Sequence, residues 1–291
     1  MSTFVVDCCR LRWRAWPWGE SIVAFKTIVW VFSRIPLRVG WCLSWVLAWL
    51  WWTVLPVRKA TAVDGFRQAF PDLPVGPNLR REAAGLVMGY IELFHEVRKP
   101  CIKLTVENSE PIHRHVASGE GVILVAGHFG SWDLVGPMVG RDESLPATVV
   151  VKNPSWKPAA EYVDNVRRKF GLGLLPSMNS FKEILEELAE GRVLVFLLDQ
   201  RYRRGIPVEF FGRPAWTSPA VSVGVQRSSA PVYGLSYWRE GVGRHVAKFT
   251  GPLPMVGEIE TDSATIQRFY EDVIRERPHS WLWLHDRWRE P

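Results

Sequence analysis

GVILVAGHFGSWD, residues 121–133, decides the fold class. Its first half is a short β-branched apolar run bounded by glycine, the pattern of a strand buried on both faces of a sheet. Its second half breaks into glycine and polar residues, and SWDLVGPMVG (131–140) then reads as a helix. The same unit recurs downstream. ATVVVK (147–152) and RVLVFLLD (192–199) read as further buried strands. PAAEYVDNVRRKFG (158–171) and SFKEILEELAEG (180–191) read as helices closed by Gly171 and Gly191. AVSVGVQRSSA (220–230) reads as a helix, APVYGLSYWRE (230–240) and RHVAKFTG (244–251) as strands, and IQRFYEDVIRER (266–277) as the last helix. Upstream, LRREAAGLVMGYIELFHEVR (79–98) has helical period and stops at Pro100. Strands alternating with helices predict an α/β domain, a mixed or parallel sheet flanked by helices.

The start of the chain is different. Residues 41–57 (WCLSWVLAWLWWTVLPV) carry no charge, residues 21–33 (SIVAFKTIVWVFS) carry only Lys26, and RIPLR lies between. A spanning helix needs about 20 apolar residues, which neither piece reaches comfortably. Trp41, Trp45, Trp49 and Trp52 recur at helical spacing, and indoles prefer the headgroup layer. The expectation is an N-terminal hydrophobic membrane-anchoring helix within residues 1–57, shallow or tilted, ahead of a catalytic domain at 58–291. No small-residue cleavage site follows the apolar region, so it does not read as a cleaved signal peptide.

Composition narrows the class. In 291 residues, 47% hydrophobic content excludes a disordered chain, and 23% charged content excludes a multi-span transporter. The net charge of +6 suits nucleic acid, an anionic membrane surface or an acidic carrier protein. The basic residues are dispersed and no nucleic-acid motif occurs, so no nucleic-acid partner is expected. Cys8, Cys9, Cys42 and Cys101 form no C-x-x-C pair, which suggests neither a metal site nor a disulfide framework.

In α/β sheets reactive residues sit just beyond the carboxyl ends of strands. Two strands end in polar residues, one at His128 to Asp133 and one at Asp199-Gln200. A His followed five residues later by an acid can fold the carboxylate back onto Nδ1 and leave Nε2 free as a base. A hydroxyl nucleophile needs such a base. His115 with Glu120 and His285 with Glu290 have the same spacing, so spacing alone is uninformative. His128 alone follows a buried strand between glycines. On the residues alone, a structural His capping the next helix stands beside the catalytic reading.

GHFGSWD resembles the H-F-x-x-W-E box of the bacterial lipid A secondary (lauroyl/myristoyl) acyltransferases, a branch of the H-x4-D/E glycerolipid acyltransferases. The likeness continues in order. Arg167-Arg168-Lys169-Phe170-Gly171 is similar to the family's R-x-x-x-G, and GRVLVFLLDQ (191–200) to its G-x-V-x-x-x-x-D-Q strand. Ile206 to Ala215 resembles V-x-F-F-G-x-P-A, and Ser280 to Trp288 resembles the terminal W-x-H-x-R-[FW]. The resemblance implies a glycerolipid-acyltransferase-like fold and an active site at the cytoplasmic face of the inner membrane. It implies an acyl thioester donor, acyl carrier protein or acyl-CoA, a membrane glycolipid acceptor and no metal or redox cofactor. His128 is then the general base and Asp133 the residue that orients it. Arg167, or its neighbour Arg168, and Asp199 become substrate-binding residues. Arg201 and Arg203, beside Asp199, suit a phosphorylated lipid or an acidic carrier. Phe129, Trp132, Phe210 and Phe211 are expected to line an acyl groove, whereas Trp283 and His285 are expected to pack the domain. Asp133 stands where the family has Glu and Ser131 where it has Asn, and Pro176 to Asn179 lacks the family's basic residue. The acceptor therefore stays open between a lipid A-type glycolipid, a lysophospholipid, a phosphatidylinositol mannoside and an amino-acid lipid. A non-catalytic membrane scaffold or lipid carrier is the reading from another class.

Overall fold

The computed structural model describes residues 20–55, 57–142, 144–151, 157–177 and 180–290. The first part of the expected anchor region, and Met178-Asn179 of the segment lacking the basic residue, lie outside these. Four helices come first: α1 (Glu20–Phe32), α2 (Leu37–Thr53), α3 (Lys59–Ala69) and α4 (Val75–Arg98). The alternating part follows as β1 (Lys103–Glu107), α5 (Glu110–Ala117), β2 (Val122–Ala126), α6 (Trp132–Val139), β3 (Ala147–Val151) and α7 (Lys157–Lys169). It continues through β4 (Gly173–Pro176), α8 (Phe181–Ala189), β5 (Val193–Leu197), β6 (Ile206–Phe210) and β7 (Arg213–Thr217). The chain closes with α9 (Ala220–Ser228), β8 (Val232–Gly241), β9 (Arg244–Thr250), α10 (Ile259–Glu276) and a tail that returns to the sheet.

Seven strands form one mixed sheet in the order β1-β9-β8-β2-β5-β3-β4. All pairings are parallel except β8 with β9. All five residues of β2 are buried, as its continuous apolar run requires. Ala126 pairs with Leu197, so β2 and β5 end side by side. The chain leaves β2 through α6, yet β3 sits beyond β5, and the strand ends therefore open a crevice at the centre of the sheet. β6 and β7 make a separate antiparallel hairpin.

No helix among the described residues is long and apolar enough to cross a membrane, which removes the support for a spanning anchor. α2 has 17 residues, about 25 Å of helix. Its apolar surface divides between two partners. Gly40, Ser44 and Ala48 form a buried stripe against α4, with Gly40 over Ile91 and Met88. Val39, Trp45, Val46 and Trp49 stay exposed on other faces. α1 adds Ile28, Trp30 and Val31 to this exposed apolar surface.

Candidate active site

His128 and Asp199 each lie two residues past the paired strand ends, and parallel in-register pairing brings them together. Asp199 Oδ1 lies 2.8 Å from His128 Nδ1, and Asp199 Oδ2 accepts from the His128 backbone N–H at 2.8 Å. A third bond reaches Oδ2 from Trp281 Nε1, also 2.8 Å. Asp199 is fully buried and His128 keeps 19% of its side chain exposed. A carboxylate at Nδ1 selects the tautomer with the proton there and leaves Nε2 as the basic nitrogen. Nε2 has no hydrogen-bond partner among the described residues.

The pair holds its charges against burial. Burial disfavours the imidazolium of His128, but the charge and hydrogen bond of Asp199 outweigh it and raise the His128 pKa. Burial likewise pushes the Asp199 carboxyl up, and His128 with the Trp281 N–H brings it below its ordinary value.

The expected bond between Asp133 and His128 is absent. Gly130, with φ +47°, turns the chain, and α6 begins at Trp132. The first turn of α6 puts the Trp132 ring beside His128, 5.2 Å between centroids, and carries Asp133 toward α4 and α7. There Asp133 Oδ1 pairs with Arg167 at 3.1 Å, and Oδ2 accepts from the Tyr90 hydroxyl at 3.2 Å. Arg167 also donates to Asp164 at 3.2 Å. Arg168, one residue on, is exposed and has no partner among the described residues, so Arg167 is the arginine at the site. Arg201 is tied to the tail through its side chain to the Glu290 carbonyl and its N–H to His285 Nε2. Arg203 is exposed and has no partner among the described residues. Burial holds His285 down to about 4, neutral and therefore an acceptor.

A cavity lies beside this site, between the sheet and α6. Trp132, Asp133 and Arg167 stand at one end, and Leu145 and Leu172 close the other. The wall between is apolar, from β2, β3, β5 and β8. Of the four residues expected to line an acyl groove, only Trp132 does. Phe129 and Phe210 are 0% exposed and Phe211 5%, all in the core. Phe129 packs on Tyr237 and Tyr270, and Phe210 on Trp281 and Trp288. Rings following a strand or filling a hairpin turn were read as a groove, whereas the sheet and the tail enclose them.

Tyr90 and Trp281 are the site residues that sequence reasoning did not single out. Tyr90 lies in α4 with no local signal, and Trp281 stood out only as part of the terminal box. Two backbone bonds seat the tail on the His128 loop: Gly130 N–H donates to the Ser280 carbonyl at 2.6 Å, and Leu282 N–H to the His128 carbonyl at 3.1 Å.

A sequence model described as bacterial lipid A biosynthesis acyltransferase matches residues 86–290. Curated relatives align at 22% identity over 178 residues: phosphatidylinositol mannoside acyltransferases of Mycobacterium tuberculosis (strain ATCC 25618 / H37Rv) and of Mycolicibacterium smegmatis (strain ATCC 700084 / mc(2)155). The first alignment covers 60% of this chain and 56% of the relative, and the second 59% and 58%. The chain thus spans a little over half the length of the curated relatives it matches.

Proposed function

Since the chain belongs to the bacterial lipid A biosynthesis acyltransferase family, we propose that it transfers a fatty acyl chain from a thioester to a sugar hydroxyl of a membrane glycolipid. The observation that carries this reading is the His128–Asp199 pair, with no partner at Nε2 among the described residues, beside Trp132, which lines an apolar cavity. The neutral imidazole takes the acceptor's hydroxyl proton at Nε2 as the oxygen attacks the thioester carbonyl. The tetrahedral adduct expels the thiolate, which takes that proton back from the imidazolium. Asp199 keeps the tautomer fixed and balances the transient charge. Arg167, held by Asp133 and Asp164, presents a forked cation for the oxyanion or for a phosphate of either substrate.

The donor is acyl carrier protein or acyl-CoA, whose acyl chain enters the cavity. The acceptor is a lipid A-type or phosphatidylinositol mannoside-type glycolipid, the second supported by the names of the relatives. The indoles and valines exposed on α1 and α2 suit a helix pair lying in the headgroup layer rather than spanning it. We place the enzyme on the inner membrane with its site toward the cytoplasm, as the family resemblance implies.

The test is lipid mass spectrometry of a host lacking its own late acyltransferases, expressing wild type or His128→Ala. An added acyl mass on a glycolipid with wild type alone is expected, and the glycolipid that gains it names the acceptor. Equal lipid profiles from wild type and His128→Ala, both folded, would overturn the reading in favour of a lipid-binding scaffold.

A further inference from the structure

α6 contains one glycine, Gly136, which costs a helix about 1 kcal/mol relative to Ala, and Gly140 caps its end. Packing explains Gly140, where a Cβ would collide with the Leu172 side chain. No packed side chain explains Gly136, although it precedes Pro137, whose ring crowds a Cβ on the residue before it. Outside its own helix backbone and chain neighbours, a Cβ there would meet no atom within 4 Å, and Gly136 lines the cavity. The missing side chain is therefore volume left open inside the cavity.

We propose that Gly136 sets the acyl-chain length that this protein accepts, a medium chain of about ten to twelve carbons. The proposal rests on the acyltransferase reading above. Leu197 and Val193 of β5 both line the cavity, four residue steps apart, about 13 Å at ~3.3 Å per step. An extended alkyl chain advances about 1.25 Å per C–C bond of ~1.5 Å, so the wall takes about ten bonds. Leu145 and Leu172 then stop the chain. α6 runs back from the site toward that closed end, as a crossover between parallel strands must. Gly136 lies three residues beyond Asp133, about 4.5 Å along the helix. A leucine placed there leaves room for only about four bonds.

The experiment measures binding of S-alkyl pantetheine thioethers, from hexyl to hexadecyl, to the full-length protein. Pantetheine is the part that coenzyme A and acyl carrier protein share, and a thioether cannot be turned over. Wild type should gain about fourfold in affinity per methylene, the ratio for burying one CH₂, up to decyl or dodecyl, and gain nothing beyond. Gly136→Leu should level off near hexyl and bind dodecyl at least a hundredfold more weakly than wild type. Gly136→Ala, which adds one methyl where no other side chain beyond its chain neighbours stands within 4 Å, should shift the plateau by one or two carbons and guards against misfolding of the leucine variant. An unmoved plateau in both variants, or no binding of any thioether to wild type, would overturn the proposal. Wild type that binds with the expected plateau but acylates no glycolipid would leave the length gate standing and sink the transfer reaction instead.

Discussion

Replacing Asp199 by Asn separates two accounts of the base. Asn has the same shape, and its amide oxygen can stay where Oδ2 accepts from the His128 and Trp281 N–H groups. The amide NH₂ then faces His128 Nδ1, where Oδ1 had been at 2.8 Å. Two donors cannot share that contact, so the imidazole proton moves to Nε2 and the base is lost. A wrong tautomer of this kind costs about 10⁴-fold in kcat in Ser-His-Asp triads, and the same is expected here. The fold should survive, because two of the three bonds persist. Losing one charge-assisted bond costs about 1.5–3 kcal/mol, partly offset by burying an amide instead of a charge. Asp133→Asn leaves Nδ1 untouched and should weaken only the hold on Arg167. The assay is steady-state transfer to the glycolipid acceptor, with ¹⁵N NMR of the His128 ring reporting the tautomer. Asp199→Asn within tenfold of wild type, or a tautomer change in Asp133→Asn instead, would refute the assignment of Asp199 as orienting residue.

Further outcomes follow from the same geometry. Because Asp199 raises the His128 pKa despite burial, kcat/KM should rise with pH through a half-point above the ordinary histidine value of ~6.5. The pair's contribution to stability should be lost above that folded pKa, and also as pH falls through the depressed pKa of Asp199; thermal unfolding against pH checks this. Arg167→Gln removes the bonds to Asp133 and Asp164 and should raise KM for the thioester or the glycolipid roughly tenfold to a hundredfold, with little change in unfolding temperature. Phe210→Ala empties a core position and should cost about 3–5 kcal/mol by urea unfolding, with no change in acyl preference at temperatures where the variant is folded.

The alternation of elements was legible because β2, β3 and β5 are short apolar runs, and buried strands in a covered sheet leave that trace. The hairpin β6–β7 was not, because Pro207 and Pro214 sit inside its strands and argue against them. β1 was missed because it is an edge strand with four of its five residues exposed, which leaves little apolar pattern. His128 and Asp199 were both readable as polar residues at strand ends. Their partnership was not, since it depends on β5 lying next to β2, and strand order leaves no local signal. The five-residue spacing pointed to Asp133 instead, a contact within one loop that a local pattern can suggest. Gly130 and the start of α6 defeat it by directing the carboxylate toward α4 and α7.

The aromatic boxes and the polar ones divide the work by burial. Polar groups from strand ends meet at the crevice, Asp199 buried and His128 partly exposed, and the aromatic segments close the sheet around them. Trp281 joins the two sets, with its ring in the core, 1% exposed, and its N–H on Asp199. Trp283, packed edge-on to Trp281 at 4.7 Å, donates its backbone N–H to Glu82 of α4. Arg287, 0% exposed, binds the Trp216 carbonyl and Thr217 at the end of β7. The tail thus ties α4 and the hairpin to the loop carrying His128, although these segments are distant in the chain. The orientation of the base is consequently a property of the closed fold, and a short H-x4-D segment cannot supply it alone. This is also why a loop with two glycines can hold a catalytic geometry: its rigidity comes from the strand pairing before it and from the tail lying across it.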